Sequence, residues 1–226
     1  MQTLPLSHGQ VRFAGICYLI IIICGVGSEL ALRGPLIDFG SEEGSAQAIL
    51  AQVMRFRLSI MADVVMALAD VTLAILLFWM FRPISARLAL AAMIFRLLQS
   101  GLIAAGLLNL QAALLLLQSG AMDGSANLAL TFITMHAYGY DLGLIFFGVN
   151  CLLTAALLVQ SGFVARVLGI AIGLSGLVYL SGSILRFVAP DLHGIVAPAY
   201  VVPLVAETAF CLWLLFIPHS RSAASH

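Results

Sequence analysis

Apolar residues run along this chain in six long blocks, separated by short polar or proline-bearing segments. A helix needs about 20 mostly apolar residues to cross a hydrocarbon core about 30 Å thick, at a rise of about 1.5 Å per residue. The blocks that qualify cover residues 13–32, 58–81, 88–110, 137–159, 164–185 and 200–217. They predict an all-α, polytopic transmembrane bundle of six spans, with residues 1–226 as one integral membrane domain. Residues 45–57 read as an amphipathic lead-in to the second span, and 111–118 as an overhang or tilted end of the third. The first block is longer than a signal-peptide core and runs into Ser28-Glu29-Leu30-Ala31-Leu32-Arg33 with no A-x-A site, so a retained helix is expected. Pro83, Pro190, Pro198 and Pro218 fall at span edges, where a proline breaks no internal hydrogen bond. Pro203 lies inside the sixth span and predicts a kink or a frayed entry.

Composition narrows the class further. Hydrophobic residues make up 62% and charged ones 9%, whereas soluble domains carry about 25% charged. Lysine is absent, and ten arginines balance ten acids. Without a basic patch, nucleic-acid binding is excluded, and the apolar content excludes disorder. The partner the chain requires is the lipid bilayer. Arg12, Arg82, Arg87, Arg166 and Arg221 fall on one side of a six-span arrangement, and Arg33, Arg55, Arg57 and Arg186 on the other. By the positive-inside rule this five-to-four split leads us to expect both termini on the cytoplasmic side.

Several strings extend the picture: Phe13-Ala14-Gly15-Ile16-Cys17-Tyr18-Leu19, then His136 to Gly148 (HAYGYDLGLIFFG), then Ser161 to Gly169 (SGFVARVLG). Gly176-Leu177-Val178-Tyr179-Leu180 follows, and Glu207 before Cys211-Leu212-Trp213-Leu214-Leu215. Over nearly its whole length the chain resembles a family of small bacterial multi-pass membrane proteins known as a domain of unknown function. It departs from that pattern at Ala165, where the family usually shows proline. The resemblance implies a six- or seven-helix inner-membrane protein and no particular activity.

Ionisable side chains within spans are expensive, about 2.5–3.5 kcal/mol each on insertion scales, so each calls for a partner or a water-filled cavity. By helical rise, Arg96 lies about 12 Å inside the third span and Asp70 about 16 Å from the same face in the second. The two spans are antiparallel neighbours, so Asp70 and Arg96 are expected to pair; an arginine remains charged and must find an acceptor. Glu207 and Asn150 come out at similar depth, about 15 and 14 Å from that face. This predicts an inner layer of Asp70, Arg96, Asn150 and Glu207. Two carboxyls stand there against one guanidinium, which leaves one acid to carry a proton.

A second layer is expected nearer the other face. Asp63 is seven residues before Asp70 and on the same side of its helix. His136, Tyr140 and Asp141 open the fourth span with Tyr138, and Arg57, Arg186 and His193 are the candidates to meet them. Glu29 could join. His136 and Asp141 point about 140° apart on a helix and make poor co-ligands.

Three function classes fit these residues. The first is binding or translocation of a small solute or proton through a pocket formed by Asp63, Asp70, Arg96, His136, Tyr140, Asp141, Asn150 and Glu207. The second is a metal enzyme at the outer face using His136, His193 and one of Asp63, Asp141 or Glu29; the same two histidines could also hold a haem. The third is a partner or scaffold subunit without chemistry of its own. The chain contains no H-E-x-x-H, G-x-S-x-G or C-x-x-C, and no cofactor is assigned. Cys17, Cys24, Cys151 and Cys211 lie inside spans and read as packing residues. Gly139 with Gly143, and Gly169, Gly173 and Gly176, form small-residue faces suited to close helix approach, within the chain or in a homo-oligomer. Trp79, Trp213, Tyr18 and Tyr200 sit near span ends as interfacial anchors.

Overall fold

The computed structural model describes residues 6–120, 124–162 and 164–216, without the His193 side chain. Phe163, Asp123, Ile217, Pro218 and Arg221 lie outside the described residues. Among the described residues, six helical segments are long and apolar enough to cross a membrane.

The first is α1 (His8–Gly27), opened by a capping box in which the Ser7 hydroxyl accepts from Gln10 N and the Gln10 side chain accepts from Ser7 N. It continues without a break as a π-helical turn, Ser28–Arg33, and a 3₁₀ turn, Gly34–Leu36. The wider turn needs an unencumbered exit: a Cβ at Gly34 would sit 2.5 Å from the Glu29 carbonyl oxygen. Next comes α2 (Glu42–Ala51), capped by Ser41, then α3 (Val53–Phe81). Residues 45–57 therefore do not form one continuous lead-in. The backbone breaks at Gln52 (φ −131°, ψ 43°), and α2 packs separately against the later helices.

Two very long helices follow, α4 (Ala86–Ser119) and α5 (Ser125–Ser161), which are 34 and 37 residues long. At 1.5 Å per residue each reaches about 50 Å, well beyond the hydrocarbon core. The fourth span thus begins twelve residues before the expected Ala137, because Ser125–His136 stays helical by packing on α4 and α2. Gly120 (φ 59°) and Gly124 (φ 84°) supply the left-handed backbone that ends one helix and begins the other. Then come α6 (Arg166–Val188), short α7 (Pro190–Val196), a 3₁₀ turn (Ala197–Tyr200) and α8 (Val201–Phe216). The sixth span is therefore composite. Pro203 falls in the first turn of α8, directly after the 3₁₀ turn, where its missing N–H costs the helix no internal hydrogen bond.

Apolar packing concentrates at the two ends of the bundle. Toward the N-terminus of α1, a core built on Val11, Leu73, Met80, Phe81, Leu157 and Phe210 joins α1, α3, α4, α5, α6 and α8. At the opposite end, Leu36, Ile49, Phe56, Leu110, Leu114 and Ile133 close a second core beneath α2. The glycines of α6 do mate with α5, at a different place from Gly139 and Gly143. A Cβ at Gly176 would lie 2.7 Å from the Gly148 carbonyl, and one at Gly173 would lie 3.3 Å from Ala155 Cβ. Gly143 serves α4 instead, against Ile103. Between the two apolar cores lies a polar slab.

Candidate functional site

The inner layer starts from α3 and α4, antiparallel and joined by a short turn. Asp70 and Arg96 meet as their depths require: Arg96 Nε donates to Asp70 Oδ1 at 2.7 Å, and Nη2 lies 2.6 Å from the same oxygen. Both residues are buried. With its amide nitrogen turned toward the acceptors, Gln99 donates to Asp70 Oδ2 at 2.8 Å and to the Arg96 carbonyl at 3.3 Å. The guanidinium also lies over the rings of Phe147 and Tyr18, 5.1 and 5.4 Å from their centroids.

Glu207 enters this layer from α8, and its partners are phenols. Tyr179 donates to Oε1 at 2.6 Å and Tyr18 to Oε2 at 3.1 Å. Among the described residues Glu207 forms no ion pair. Asn150 lies at the expected depth, at a small void it shares with Arg96, but its Nδ2 donates to the Ala92 carbonyl at 2.7 Å and ties α5 to α4. An amide can satisfy an open backbone acceptor as readily as a side chain, and spacing alone does not reveal which it will take. Tyr18 is a correction too. Because α1 begins at His8, Tyr18 lies about 15 Å along it, is 2% exposed, and is no interfacial anchor. Tyr200 is likewise turned inward, with its ring 5.8 Å from Tyr179.

The outer layer has different partners from those expected. Asp63 is completely buried and takes Arg33 Nη1 at 2.8 Å, with the Ser28 hydroxyl on its other oxygen. Arg33 also binds Glu29, four residues earlier, at 2.8 Å. Arg57 is exposed instead. The π-helical turn is the reason, because its extra residue per turn rotates Arg33 toward the bundle. The only sequence hint was the Glu29-x-x-x-Arg33 spacing. Asp141 does meet Arg186, at 3.1 Å, and accepts from Ser183 at 3.0 Å. His136 points the other way, as the 140° offset requires. Its Nδ1 lies 3.2 Å from the Gly106 carbonyl, which can only accept, so the ring proton sits on Nδ1. Tyr140 stands between them, its ring 6.3 Å from that of His136.

A metal centre at this face finds little support in the donors. Asp63 and Asp141 already hold guanidiniums, and among the described residues no group of three His, Cys, Asp or Glu side chains comes together. The His193 side chain lies outside the described residues.

Open space lies beside both layers. A cavity of about 360 Å³ has Asp70, Arg96, Gln99 and Glu207 at its floor. A second, of about 350 Å³, is lined by Arg33, His136, Asp141 and Arg186. The two share Gly25, Glu29, Tyr140, Leu144 and Tyr200, so they lie against one another, one beside the outer layer and one beside the inner. They are not confined to the middle helices, since α1 and the α7–α8 segment also supply wall. Beyond Arg96 the void beside Asn150 is only about 10 Å³, at the limit for a single water. The apolar core closes the rest. The cavities therefore lie to one side of the inner layer, and apolar packing fills the other side.

Comparison with known proteins agrees with this architecture and assigns no chemistry. Residues 13–217 match the model of a family described as "Domain of unknown function (DUF4386)". An uncharacterized protein of Archaeoglobus fulgidus is 24% identical over 157 residues, covering 70% of this chain and 82% of that protein. No solved structure matches.

Proposed function

The chain belongs to the DUF4386 family, and we propose that it is a plasma-membrane protein that binds or passes a small solute or proton through the cavity ending on Asp70, Arg96 and Glu207. The observation that supports this most is the pair of adjoining cavities, the inner of which ends on a buried acid that forms no ion pair among the described residues. His136, Tyr140 and Asp141 line the outer cavity, Asp63 fixes the Arg33 that lines it with them, and Asn150 holds α5 against α4 beyond the inner one. Cavities of about 300–1,000 Å³ with a few convergent polar groups suit small ligands. Isolated ionisable groups within a membrane commonly serve proton or ion movement. The packed far side fits the state of a carrier open to one face, or a blind receptor pocket.

Proteoliposomes containing the wild-type chain are expected to show proton-linked flux, followed with an entrapped pH-sensitive dye. Asp70→Asn and Glu207→Gln should each abolish it. Flux that persists unchanged in both variants would retire this reading.

A further inference from the structure

The wall of the inner cavity is not closed on all sides by protein. Helices α1 and α8 touch near the N-terminal side of the bundle: Cys211 Sγ donates to the Gly15 carbonyl, and Tyr18 meets Phe210 and Glu207. Farther along α1, Val26 and Leu30 line the cavity while 41% and 72% exposed, and Leu204 of α8 lines it while 47% exposed. These exposed lining residues mark the rim of the cavity on the side between α1 and α8, two segments apolar enough to span a membrane. The cavity leads inward to Glu207, whose oxygens each accept one phenol and retain further acceptor capacity. Around that acid the cavity is walled by aromatic rings: Tyr140, Phe147, Tyr179 and Tyr200, with Phe147 5.3 Å and Tyr200 5.8 Å from Tyr179. Aromatic faces beside a carboxylate recognise substituted ammonium groups, and the attraction strengthens when water is excluded. An anionic head has the opposite prospect, because the floor already holds two acids against one guanidinium.

We propose that the cavity takes a single-chain amphiphile with an ammonium head from the bilayer, the head against Glu207 among Tyr140, Phe147, Tyr179 and Tyr200, the chain leaving between α1 and α8. This rests on the cavity being a ligand site, and it adds a ligand class and a lateral route.

The test uses the full chain in lipid nanodiscs with dodecyltrimethylammonium carrying a diazirine at the chain end. Crosslinks are expected on Val26, Leu30 and Leu204, competed by unlabelled dodecyltrimethylammonium and not by dodecanoate. Glu207→Gln should weaken capture about tenfold, as loss of the charged partner in a desolvated site would, and Glu207→Asp should restore part of it. Leu204→Trp, which crowds that rim, should reduce capture of the long-chain probe and leave tetramethylammonium binding unchanged. Two results would overturn the proposal: labelling spread over outward residues such as Val167 and Ile170, or capture indifferent to Glu207→Gln and Glu207→Asp. Tetramethylammonium binding with no gain from the dodecyl chain would remove the lateral route and leave the pocket standing. Binding of neither cation would remove the ammonium assignment, while the flux measurement judges the pocket itself.

Discussion

The two polar layers carry the same formal imbalance in different surroundings. In the outer layer Glu29, Asp63 and Asp141 stand against Arg33 and Arg186; in the inner, Asp70 and Glu207 stand against Arg96. Each has one acid more than it has guanidiniums. The outer surplus falls on Glu29, whose side chain is 60% exposed, where solvent and salt screen a charge effectively. The inner surplus falls on Glu207, buried at the cavity floor with two phenols for company. What distinguishes the layers is the place of the extra acid rather than the number of acids, and only the buried one requires a proton or a cation to complete it.

Breaking the inner pair should have the largest effect. Asp70→Leu strands a buried guanidinium and should destabilise the protein by about 3–5 kcal/mol, measured by thermal unfolding in detergent. Adding Arg96→Leu should recover most of that loss. Asp63→Leu tests the same change in the outer layer, where Arg33 keeps Glu29. About 1–3 kcal/mol is expected there, and equal losses for the two aspartates would break the comparison. Glu207→Gln keeps one oxygen for a phenol and should cost about 1 kcal/mol in stability while removing ligand capture. Glu29→Gln should stay within about 0.5 kcal/mol, as exposed pairs do, and should leave capture unchanged. A loss of capture there as large as for Glu207 would show that the outer surplus matters equally.

How much of this could be read from sequence depended on whether the partner was a matter of depth or of backbone path. Asp70 and Arg96 sit on regular antiparallel helices joined by a short turn, so counting residues from their common face was enough. The placement of Glu207 in the same layer followed from the same count. Arg33 did not, because a π-helical turn at Ser28–Arg33 shifts its direction, and no residue type marks such a turn. Asn150 was placed at the correct depth, yet its acceptor is a backbone carbonyl, which any residue could have supplied. Tyr18 was misjudged because α1 starts at His8, five residues before the apolar block does. The overhang of α4 over 111–118 was legible, but that of α5 was cut short for a related reason: hydropathy marks where oil ends, whereas helices end where packing and glycine permit.

The central claim is that the cavities reach the inner layer from one face and that apolar packing closes the bundle beyond it. Ser100 lines the cavity about one helical turn from Arg96 along α4, whereas Ala92 lies about one turn to the other side of Arg96, in the closed part. In a chain whose four native cysteines are replaced by alanine, Ser100→Cys and Ala92→Cys can be exposed to a small, membrane-impermeant thiol reagent added separately to each face of sealed vesicles. The account predicts that Ser100→Cys reacts from one face only and Ala92→Cys from neither. Protection of Ser100→Cys from both faces, or equal reaction of the two positions, would contradict it.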